Sequence, residues 1–259
     1  MTATSLSPNY FATADGFRIA WYELGSANAG PPIILQHGFS ATTFSEWVEC
    51  GIAKSLGGLG RRVIGIDALG HGGSDHPHES SHYGEARFAR DISDLATALG
   101  IERFDLVGYS MGAIVALLVG VLEPRLRRLI VGGVGEGVVV CGGVDRRAMD
   151  PRVVAEALAA DDAPGANEWV IGLRQGAEQR GNDLMALAAA VSVAHATPIP
   201  LDRIAVPTML VAGDSDPLAI HPERLQQAIP DCRLVIVPGD HTEARLSRQF
   251  TAALLDFLA

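Results

Sequence analysis

The chain has 259 residues, 48% of them hydrophobic, enough to bury a large core in one α/β-sized unit. Its 20 basic and 30 acidic residues give a net charge of −10, which repels a phosphate backbone and sets nucleic-acid binding aside. Cys50, Cys141 and Cys232 have neither disulfide-framework nor metal-cluster spacing and read as reduced thiols. Residues 1–11 lack a basic region followed by an apolar one, so no signal peptide is expected. The most apolar stretch, 106–122, is interrupted by Gly108, Ser110 and Gly112 and is too short to span a bilayer. A cytoplasmic protein with no membrane partner is the expectation.

In chain order, residues 17–24 (FRIAWYEL) read as an early strand and 32–36 (PIILQ) as a strand buried on both faces. Residues 44–56 have helical character and stop at Gly57-Gly58. A second buried strand follows at 62–67 (RVIGID). Residues 85–99 carry Phe88, Ile92, Leu95 and Leu99 at helical spacing and close on Gly100. Strand 104–107, helix 111–122 and strand 126–131 come next. Between 134 and 200 the pattern changes to three helices, 153–160, 167–179 and 183–196, with no strand between them. Asp150-Pro151 reads as an N-cap and a first-turn proline. The alternation resumes with strand 208–212, helix 222–228, strand 233–237 and helix 243–258. Strands joined by crossover helices imply an α/β fold: a mostly parallel central sheet of about eight strands, helices on both faces. Residues 1–133 and 201–259 are expected to form its core domain, and 134–200 a small helical cap.

The chemistry-bearing residues fall where these strands end. Gly108-Tyr109-Ser110-Met111-Gly112 is G-x-S-x-G, common by chance but here set between a buried strand and a helix. The glycines permit a tight turn that projects the Ser110 hydroxyl from the sheet end. A serine hydroxyl is a poor nucleophile unless a base takes its proton. His241, on the loop after strand 233–237, is that base. Strand 208–212 ends in Gly213-Asp214-Ser215-Asp216-Pro217, with two carboxylates able to orient the imidazole.

These residues, in the order Ser, acid, His, resemble the α/β-hydrolase fold family in its serine-hydrolase, carboxylesterase-like form. The resemblance covers nearly the whole chain. It implies Asp216 as the acid, because the family's Gly-x-x-Asp-Pro pattern falls on Gly213, Asp216 and Pro217. Asp214 stays open as an alternative, as does Glu136, since some members place the acid after the preceding core strand. His37-Gly38-Phe39-Ser40 resembles the family's oxyanion loop, which implies the N–H groups of Phe39 and Met111 as the oxyanion donors and His37 as a brace. Residues 67–75 match the family's D-x-x-G-x-G-x-S loop, so His71 is expected to be structural. His76, His78 and His82 read as a solvated loop, and no metal is expected. Phe44, beside Trp47, and Trp169 and His195 in the helical segment are candidate pocket residues. Hydrolysis of a carboxylic ester of a small soluble substrate, through an acyl-enzyme on Ser110, is the implied function, with no cofactor; a homodimer is compatible with it. C–C bond hydrolysis, lactone opening and perhydrolysis would use the same residues. A cofactor-free lyase or oxygenase, or a receptor retaining the triad, are more distant alternatives.

Overall fold

The computed structural model describes residues 6–26, 29–160 and 167–259; Met1–Ser5, part of the stretch read for a signal peptide, lie outside them. Eight strands form one sheet: β1 (Asn9–Ala12), β2 (Arg18–Ser26), β3 (Ile33–Gln36), β4 (Arg62–Ile66), β5 (Phe104–Tyr109), β6 (Leu126–Gly132), β7 (Thr208–Gly213) and β8 (Cys232–Val237). Their order is β1-β2-β4-β3-β5-β6-β7-β8. The pairs β1–β2 and β2–β4 are antiparallel and the rest parallel.

The helices are α1 (Ile52–Gly57), α2 (Glu85–Ala98), α3 (Met111–Leu122), α4 (Glu136–Cys141), α5 (Pro151–Ala159), α6 (Glu168–Gln179), α7 (Leu184–Ser192), α8 (Pro222–Ala228), α9 (Glu243–Leu246) and α10 (Arg248–Leu258). Successive strand side chains point to opposite faces, so a sheet covered twice needs apolar residues at every position. In β3, Ile34 joins the core under α2, α3 and α8, while Ile33 and Leu35 join the core under α1 and α10. This explains the unbroken apolar run. Helices α5, α6 and α7 build a third cluster from Val154, Leu158, Val170 and Leu187. Among the described residues no strand lies between β6 and β7, and no helix is long and apolar enough to cross a membrane.

The stretch 134–200, expected to hold three helices, also holds the short α4, and three further differences from the sequence expectation have local causes. Edge strand β1 was not expected, because its mostly exposed residues carry no apolar pattern. Residues 44–56 are two elements, a π-helical turn (Phe44–Val48) and α1, divided at Gly51, whose φ is 79°. The last helix is likewise two, because Ser247 takes an extended conformation and caps α10, its hydroxyl accepting from Phe250 N–H.

Candidate active site

Parallel pairing aligns the C-terminal ends of five strands: Gln36 lies opposite Gly108, Tyr109 opposite Gly132, and Gly213 opposite Val237. Loops leaving these ends converge on one edge, the usual place for a site in such sheets. Ser110 sits between β5 and α3 with φ 56° and ψ −121°, a conformation L-residues rarely hold. Its N–H donates to Gly132 O at 2.8 Å, which fixes the turn. Both motif glycines are required by close backbone approach. A Cβ on Gly108 would lie 2.1 Å from Gly112 O, and one on Gly112 would lie 2.4 Å from Gln36 O.

The residues expected as base and acid are in contact. His241 Nδ1 and Asp216 Oδ2 are 2.8 Å apart, and Asp216 is buried. The other Asp216 oxygen accepts from Leu218 N–H at 2.9 Å. Asp214 instead accepts from Gly239 N–H and is exposed. Glu136 is ion-paired to Arg147 at 2.5 Å and to Arg224 at 2.9 Å. Of the three carboxylates, only Asp216 reaches the imidazole. Ser110 and His241 line the same cavity.

The loop after β3 lies against the elbow. A Cβ on Gly38 would be 3.2 Å from Ser110 Cβ, so glycine lets the loop close on the serine. Neither Phe39 N–H nor Met111 N–H donates a hydrogen bond to another described residue, and both residues line the cavity. His37 is the expected brace: its Nε2 accepts from Ala68 N–H at 3.0 Å and its Nδ1 pairs with Gly38 O at 2.8 Å. His71 is fully buried, packs edge-on to Phe39, and has its pKa held well below the usual histidine range by desolvation. Asp67 ties this region together, accepting from Thr43 N–H and Gly73 N–H. His78 reaches Asp183 at 3.0 Å and His82 packs edge-on against Phe17.

The cavity measures about 410 Å³, and the sheet-edge loops, α2, α3 and the inserted helices supply its walls. Trp169 lines it. Two expected pocket residues do not. Phe44 is 52% exposed, because the π-helical turn buries Glu46 and Trp47 and turns Phe44 outward; it lines a shallow surface groove instead. The His195 ring pairs with Thr197, and only its main-chain N–H turns inward, to Glu85 Oε2 at 2.7 Å.

Sequence reasoning missed three features. Tyr109, an unconstrained position of the motif, donates its hydroxyl to His241 O at 2.6 Å and packs against the imidazole ring. Glu85 is a buried carboxyl on the cavity wall, its pKa pushed up to about 7 by burial. Arg180 and Asn182, between α6 and α7, reach the loop after β3. Their only sequence signal was position in a polar turn, which many surface residues share.

A family model described as alpha/beta hydrolase fold matches residues 31–131. A 2-hydroxy-6-oxo-2,4-heptadienoate hydrolase of Pseudomonas putida is 31% identical over 147 residues, 56% of this chain; the match spans about half of that relative, 51% of its length. The crystal structure of a hydrolase from Pseudomonas aeruginosa superposes with a TM-score of 0.74 at 26% identity, covering 100% of both chains. The enol-lactonase from Burkholderia xenovorans superposes with a TM-score of 0.73 at 22% identity, covering 96% of this chain and 99% of its own.

Proposed function

This chain belongs to the α/β-hydrolase fold family, and from that premise we propose that it hydrolyses a carboxylic ester of a small molecule through an acyl-enzyme on Ser110. One observation carries this: a buried Asp216 carboxylate 2.8 Å from His241 Nδ1, on the cavity that Ser110 also lines. With Nδ1–H donated to Asp216, the free lone pair is on Nε2, where a proton from Ser110 can be received. Ser110 Oγ attacks the ester carbonyl carbon as His241 takes its proton. The resulting oxyanion is held by Phe39 N–H and Met111 N–H. His241 returns the proton to the departing alkoxide, leaving an acyl-Ser110. It then deprotonates a water, whose oxygen attacks the acyl carbon, and passes that proton to Ser110 Oγ as the acid departs.

The walls support a neutral acyl group. Phe39, Phe88, Ile114, Val144, Met149 and Leu173 are apolar, and the described lining contains no Lys or Arg. A second reading, cleavage of a C–C bond or a lactone on the same residues, is favoured by likeness to the heptadienoate hydrolase. That relative's substrate is by name a carboxylate anion, and the described lining holds no Lys or Arg to pair with one. The proposed setting is the cytoplasm, with residues 134–200 as a cap unit and no metal or organic cofactor; unpaired Cys50, Cys141 and Cys232 suit a reducing compartment.

The test is a panel of short and medium p-nitrophenyl esters, lactones and a β-diketone, with the Ser110→Ala variant beside it. Ester turnover by the wild type, lost in a folded Ser110→Ala, is expected, together with a fluorophosphonate adduct on Ser110. Turnover confined to the diketone would select the second reading. No adduct on Ser110 would favour a lyase or receptor.

A further inference from the structure

The loop that supplies Phe39 closes as a tight turn, with Ala41 N–H donating to Gly38 O at 3.3 Å. Ser40, its third residue, has a φ of 57°, where glycine is the usual occupant. Nothing within the turn compensates for a Cβ in that conformation. The compensation comes from far along the chain. Arg180 Nε donates to Ser40 O at 3.0 Å, and its terminal nitrogen lies 3.2 Å from Ser40 Oγ. Asn182 Nδ2 donates to the same Ser40 O at 2.8 Å. The carbonyl is thus gripped by two donors, both from the turn between α6 and α7.

Arg180 is unusual in a second respect. It is an exposed residue, its pKa is lowered by desolvation where it meets the loop, and no carboxylate forms a salt bridge with it among the described residues. The nearby acid Glu46 is engaged by Arg245 instead, at 2.6 Å. The hydrogen bonds of Arg180 go instead to one backbone carbonyl and its neighbouring hydroxyl.

We propose that Arg180 and Asn182 are positioning residues that hold the Gly38–Ala41 turn in the form presenting Phe39 N–H to the oxyanion. The oxyanion hole is therefore complete only while the α6–α7 turn is docked on the loop after β3. This rests on the acyl-enzyme reading above. If the two donors are removed, Ser40 relaxes towards negative φ, the Gly38–Ala41 turn rearranges, and the Phe39 donor loses its aim. Substrate binding, which depends on the apolar walls, is left in place.

The experiment compares Arg180→Met, Asn182→Asp, the double variant and the conservative Arg180→Lys on a short p-nitrophenyl ester. Rates are expressed per active site, titrated to completion with a fluorophosphonate, so partial unfolding does not register as lost catalysis. Removing one oxyanion donor outright costs ~10²–10³ in kcat. Misaiming one is expected to lower kcat about 10-fold in each single variant and about 100-fold in the pair, with KM within about threefold. Arg180→Lys, which keeps one donor, should recover most of the loss. Affinity for a trifluoromethyl ketone, which forms a tetrahedral adduct on the serine, should fall in parallel with kcat. Unchanged kcat per titrated site, or a rise confined to KM, overturns the positioning role while leaving the acyl-enzyme mechanism standing. A wild type without Ser110-dependent ester turnover overturns the mechanism itself, and the positioning role with it.

Discussion

The strand ends and the inserted helices build opposite walls of one cavity by different means. At the strand ends, main-chain atoms do the positioning. Ser110 is held by its own N–H on Gly132 O, Gly108 and Gly112 are pressed against backbone oxygens, and the His241 carbonyl is held by Tyr109. In the inserted segment the contribution is made by side chains: Met149, just before α5, and Trp169 and Leu173 of α6 form apolar wall, and Val154, Leu158 and Leu187 pack behind them. The reacting atoms need a fixed geometry, which backbone contacts supply. A binding wall needs only shape and polarity, which many side-chain sets provide.

That contrast yields graded expectations. The largest effect belongs to Ser110→Ala, which should remove ~10⁵–10⁶ of kcat while the protein remains folded by circular dichroism. Asp216→Asn should cost about 10⁴ in kcat, the magnitude known for the equivalent change in a serine protease, whereas Asp214→Asn should stay within about threefold. Equal losses at both positions would break the distinction between them.

Glu85 offers an intermediate effect, read in stability. Its folded pKa of about 7 lies above the ordinary glutamate value of 4.5, so the fold favours the protonated carboxyl. Nothing is lost below pH 4.5; stability falls as pH rises from there to about 7 and is then flat. Glu85→Gln keeps an acceptor for His195 N–H and should be more stable than the wild type by up to about 3 kcal/mol at pH 8, with no gain at pH 4. Urea denaturation at the two pH values measures this, and a pH-independent difference would refute it. The smallest effect is expected in the inserted helices. Trp169 is 45% exposed, so Trp169→Ala should raise KM for bulky acyl esters by about 3–10-fold and leave kcat nearly unchanged.

The same contrast governs what could be read from the sequence. Backbone constraints leave marks in residue type: Gly108 and Gly112 at the elbow, Gly38 beside it, and the alternation of buried strands and helices. The elbow and the strand ends that carry His241 and Asp216 were legible on that account. The choice among Asp214, Asp216 and Glu136 needed three dimensions, because it depends on which carboxylate a loop turns inward and which are already engaged by Gly239, Arg147 or Arg224. Phe44 misled because proximity in sequence to Phe39 does not survive a π-helical turn. Arg180 and Asn182 lie some 140 residues from Ser40, and no local pattern announces a contact over that distance.

The left-handed backbone at Ser110 and Ser40 also bears on laboratory evolution of this protein. Glycine would sit at either position without steric conflict. A screen that rewards heat resistance alone would therefore collect Ser110→Gly among its winners, a more durable protein stripped of its proposed nucleophile. Libraries selected for longevity need turnover scored in the same round, and diversity is best spent on the helical wall, where the chemistry does not depend on the backbone.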